Sequence, residues 1–99
     1  MNTENFPQPS LDQVMKDVEI VGQLLVDDNG PQIDRFFDLV DVGEFEFALI
    51  GGVRVLSEMG VGVPNHVRLH AEELDRIEKQ RIAEQTRRIH DRYKNQPPT

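Results

Sequence analysis

The feature that most constrains this chain is the spacing of its apolar residues. Leu11, Val14, Met15, Val18, Val21 and Leu25 recur at intervals of three and four, the signature of one buried face of an α-helix. Ser10, with Gln13 three residues on, reads as the N-cap of that helix, and Asp28-Asn29-Gly30 as its stop, giving a helix over about 10–27. Pro31 suits the first turn of a second helix over about 31–41, because the amide hydrogen it lacks would be unpaired there anyway. Ile33, Phe36, Phe37 and Val40 form the apolar face of this second helix, with Phe36 and Phe37 read as core. Asp34, Asp38 and Asp41 form a carboxylate stripe at i, i+4, i+7.

Residues 44–59 admit two readings. As a helix ending at Gly60, they place Ala48, Leu49, Gly52, Val53, Leu56 and Met59 on one face. As a hairpin, Glu44-Phe45-Glu46-Phe47 alternates, Gly51-Gly52 makes the turn and Val53-Arg54-Val55 alternates back. A glycine pair costs a helix roughly 2 kcal/mol relative to alanines. Periodicity favours the helix and the hairpin stays open. Pro64 then starts a long helix over about 65–93. Its apolar positions Val67, Ala71, Leu74 and Ile77 are dense at the start and thin to Ile82, Ile89 and Tyr93, so the distal half is expected to leave the core. Glu72–Arg76, Asp75–Lys79 and Glu84–Arg88 stand in the favourable i, i+4 order.

The expected fold is therefore all-α: a small bundle of about four helices with a long C-terminal helix, or α+β if the hairpin forms. Residues 10–94 read as one domain, with Pro7 and Pro9 in a disordered arm over 1–9 and Pro97-Pro98 in a disordered tail over 95–99. At 99 residues the chain supports one core, and with 37% hydrophobic residues and six aromatics that core is modest.

The chain has no cysteine, which removes disulfides, thiolate catalysis and thiolate metal sites and fits a reducing cytoplasm. No signal-like start follows Met1 and no segment approaches the ~20 apolar residues of a membrane span, so the expectation is a cytoplasmic protein with no membrane partner. Residues 79–94 carry six Lys/Arg against Glu84 and Asp91, a local charge of +4, which leaves −11 on the rest of a chain whose formal charge is −7. A body so acidic repels nucleic acid and attracts cationic proteins.

The fragments that resemble catalytic sites fall short. His66, His70 and Glu73 share a helical face at metal-ligand spacing, but a zinc hydrolase needs its general base directly after the first histidine, where Val67 stands. His70 also borders the apolar stripe, which suits a half-buried structural histidine. The run Asp27, Asp28, Asp34, Asp38, Asp41, Glu44 and Glu46 lacks the order of a calcium loop and has no pocket to tune paired carboxylates. Gly51-Gly52 and Gly60-Val61-Gly62 lack the lysine and strand of a phosphate loop. The expectation is a protein that is not an enzyme and carries no cofactor or metal. Two readings of the acids remain: a solvated face, or a docking surface for a basic partner. In the second, one of Phe45 and Phe47 serves as an aromatic anchor.

The stretch Gly43-Glu44-Phe45-Glu46-Phe47-Ala48-Leu49, placed after a short amphipathic helix, resembles the Gly-Glu-aromatic-x-x-Ala-Leu signature of small bacterial immunity proteins of the MafI type. Similar helical chains occur among the immunity proteins of contact-dependent inhibition systems. The resemblance implies a helical fold and a cognate toxin, often a nuclease, that the protein binds and neutralises. Its motif is structural, with Gly43 ending one helix and Ala48 and Leu49 packing the next. The docking face expected from the charge pattern comprises Asp34, Asp38, Asp41, Glu44, Phe45 and Glu46, with Glu72 and Asp75 as secondary contacts. A rival reading makes the chain a structural or regulatory homo-oligomer, in which the long helix pairs with a second copy and its basic end meets an acidic body.

Overall fold

The computed structural model describes residues 10–94, so the expected arm and tail lie outside the described residues. Four helices follow in order: α1 Leu11–Asp27, α2 Ile33–Asp41, α3 Phe45–Glu58 and α4 Asn65–Lys94, with no strand among the described residues. The all-α bundle with its long C-terminal helix is thus the observed fold, and the hairpin is excluded.

Local chemistry sets the boundaries. The Ser10 hydroxyl accepts from the Gln13 backbone N–H at 3.1 Å, capping α1. The first three helices each end in a paired wrap of backbone bonds around a left-handed residue. Gly30 N–H reaches Leu25 C=O at 2.8 Å, Glu44 N–H reaches Leu39 C=O at 2.8 Å, and Val61 N–H reaches Leu56 C=O at 2.9 Å. The residues that turn the chain are Asn29, Gly43 and Gly60, with φ of 51°, 82° and 77°. The start of α2 differs from expectation. Gln32 is itself left-handed, at φ 66°, so Pro31 lies in the turn and the helix begins at Ile33.

α3 is the central element, touching α1, α2 and α4. That position explains its glycines. A Cβ on Gly52 would sit 2.5 Å from Val21 Cγ1 and 3.1 Å from the Phe36 ring, and a Cβ on Gly22 would sit 3.2 Å from the same ring. Gly52 and Gly22 therefore let α1, α2 and α3 approach closely, and the packing recovered there outweighs the helix-propensity penalty. Around them pack Val14, Val18, Leu25, Leu49, Leu56, Val67 and Leu74, all buried.

The core engages only the first half of α4. Every residue from 79 to 94 is exposed, so about half of a helix roughly 45 Å long projects from the body. The radius of gyration, 17.0 Å, reflects this projection, since a compact chain of this length gives about 13 Å.

Candidate functional site

Two polar features stand out. The first is internal. Asp17 lies on the apolar stripe of α1 and is 1% exposed. Its carboxylate accepts from Gln13 Nε2 at 2.9 Å on one oxygen and contacts His70 Nδ1 at 2.5 Å on the other. Buried in this way, the carboxylate needs a donor, so His70 presents Nδ1–H to it and its tautomer is fixed. His66, one turn earlier on α4, stands with Nε2 3.8 Å from Asp17 Oδ1 and remains largely open to solvent. The contact fastens the start of α4 to α1, and no buried side-chain polar atom is left without a partner among the described residues.

His70 thus turns inward to Asp17, and His66 stands at the exposed edge of the same contact. Glu73, which shares their helical face at metal-ligand spacing, forms a two-pronged pair with Arg76. Among the described residues no group of three metal-ligating side chains is arranged to hold an ion. A small half-open cavity of about 50 Å³ lies between α2 and α3, and of its lining residues only Arg35 is ionisable. It has room for a few waters at most.

The second feature is external. Asp34, Asp38 and Asp41 are exposed along α2, and Glu44 and Glu46 continue the negative run over the α2–α3 turn into the first turn of α3. None of these five has an ion-pair partner among the described residues. The recorded pairs lie along α4 or at Asp17. The acids of α4 other than Asp91 are paired: Glu72 with Arg68 at 2.9 Å, where the spacing suggested Arg76, and Asp75 with Lys79 at 3.0 Å. Glu84 takes Arg88 at 3.4 Å, as expected, and also Arg87 at 3.3 Å. Asp12, Glu19, Asp27, Asp28, Glu58 and Asp91 likewise lack an ion-pair partner among the described residues, and the longest run of such carboxylates is that on α2 and the turn that follows it.

The aromatic residues change roles. Phe45, placed in the expected docking face, packs against the core, whereas Phe47 is 41% exposed. Phe47, however, faces a nook between α3 and α4, beside Ile50 and Ile82. The aromatic next to the α2 acids is Phe37, expected in the core but 41% exposed. It is held edge-on by buried Phe36, with ring centroids 5.2 Å apart. Phe37 also lines a groove between α1 and α2 with Met15, Val18, Gly22, Val26 and Val40. At about 100° of helix per residue, Asp41 and Phe37 lie side by side, so the carboxylate stripe forms one bank of this apolar groove.

The sequence reading missed Asp17 and misplaced the aromatic. A signal for Asp17 was present: it is the charged residue between Val14, Val18 and Val21 on the same stripe. Comparison with protein-family models, curated proteins and solved structures gives no match for this chain. No helix among the described residues is long and apolar enough to cross a membrane.

Proposed function

We propose that this chain is an immunity protein that neutralises a cognate bacterial toxin by stoichiometric binding, with the outer face of α2 and the α2–α3 turn as its docking surface. The observation that carries this reading is the pairing of an unpartnered acidic stripe with an apolar groove and an exposed, pre-positioned aromatic. Phe37 supplies an exposed anchor for a partner to cover, and Asp34, Asp38, Asp41, Glu44 and Glu46 supply a negative rim. Such a face fits a partner with a basic surface. A toxin that cuts nucleic acid needs a cationic cleft for its phosphate backbone, and a carboxylate face can occupy or flank that cleft. Gly43 to Leu49 supports the reading as scaffold: Gly43 ends α2, and Ala48 and Leu49 are fully buried.

The test is co-production with the product of the neighbouring reading frame: the chain is expected to protect cells that this product alone kills. Replacing Asp34, Asp38 and Asp41 together by lysine is expected to abolish protection while leaving far-UV circular dichroism unchanged, because all three side chains are solvated. Full protection by the triple variant excludes this face. Phe37→Ala is expected to weaken the complex by about 2 kcal/mol, roughly 30-fold, as measured by calorimetric titration.

A further inference from the structure

We infer that the projecting half of α4 pairs with the same segment of a second copy, antiparallel and about a two-fold axis near residue 87. The buried stripe of α4, Val67, Ala71 and Leu74, ends where the body ends, yet apolar character resumes beyond it. Ile82, Ile89 and Tyr93 are 55%, 50% and 68% exposed. With Thr86 they stand at i, i+4, i+7 and i+11, which is the seam of a two-helix coil. The seam runs into the nook between α3 and α4, lined by Phe47, Ile50 and Ile82 with Glu78 at its edge.

A seam of this kind is its own complement. Antiparallel pairing sets Tyr93 of one copy on Ile82 of the other and Thr86 on Ile89. It also brings each tyrosine to the mouth of the opposing nook. Charge selects the direction. Residues 87–94 hold Arg87, Arg88, Arg92 and Lys94 against Asp91, a tip of +3. Parallel pairing would lay +3 on +3, whereas antiparallel pairing lays each tip along residues 81–88 of the other copy, a charge of +2 from Arg81, Arg87 and Arg88 against Glu84, with its end toward that copy's acidic body. The arrangement closes on itself, so it yields a dimer and not a fibre. Arg35 and Leu39, which line the nook, lie about 100° around α2 from Asp34 and Asp38, so the acidic stripe stays open in the dimer.

Sedimentation of the full chain, with no partner added, is expected to show a dimer that dissociates on dilution. Ile82→Glu with Ile89→Glu is expected to give a monomer of unchanged helicity, both positions being solvated in the single chain. A monomer at every loading concentration, or a dimer untouched by the double substitution, overturns the proposal. Spin labels on the wild-type background fix the direction. A label at position 87 is expected about 10 Å from its counterpart and one at position 79 about 25–30 Å; two short distances mean parallel pairing and overturn it.

Discussion

Asp17→Ala is expected to destabilise the protein by about 3 kcal/mol, lowering the midpoint of thermal unfolding by roughly 15 °C in calorimetry. The side chain is 1% exposed and is gripped by Gln13 and His70, a residue 53 positions away on another helix. Alanine leaves a small void and strands the His70 N–H in a half-buried site, and a stranded donor costs far more than the net value of the hydrogen bond it loses. Replacing both partners by apolar residues, Asp17→Leu with His70→Leu, is expected to recover most of the loss, because the desolvation penalty disappears with the charges. A double variant as unstable as the single one would mean that the pair is needed for the fold in its own right.

The neighbouring glycines of α3 are expected to respond in opposite directions. Nothing lies within 4 Å of a Cβ built on Gly51, so Gly51→Ala adds helix propensity without a clash and is expected to stabilise by up to about 1 kcal/mol. On Gly52 the same methyl meets Val21 Cγ1 at 2.5 Å. Valine is stiff about χ1 and Val21 is fully buried, so the strain exceeds the propensity gain. Gly52→Ala is expected to cost a net 1–2 kcal/mol or so, measured by urea denaturation. Two destabilised variants would instead fit a Gly51-Gly52 turn, which needs positive φ at both positions.

These two sites also mark how far the sequence could be read. Helix stops were legible because they depend on single residues: Asn29, Gly43 and Gly60 take φ values that glycine and asparagine tolerate best. The Ser10 cap was legible for the same local reason. The helix over 44–59 was favoured by its periodicity but not fixed, since Gly51-Gly52 also suits a hairpin turn. What decides it is Val21 and Phe36, which belong to other helices. Asp17 escaped notice because one carboxylate in an apolar stripe gains meaning only with His70 opposite it. The aromatics were misassigned because exposure depends on how each helix is rotated against its neighbours, which turns Phe45 inward and leaves Phe37 and Phe47 at the surface. Of the expected docking face, the carboxylates of α2 and the turn stand together, whereas Glu72 and Asp75 are held by cations of α4 itself.

Recruitment of a basic protein by the negative field of α2 is read in the association rate of the complex, followed by stopped flow across a range of salt concentrations. The rate with the wild-type chain is expected to fall steeply as salt screens the encounter, and to be 10- to 1,000-fold lower for the chain carrying lysine at positions 34, 38 and 41. A rate indifferent to both salt and charge reversal would show that the acidic face only keeps the protein in solution.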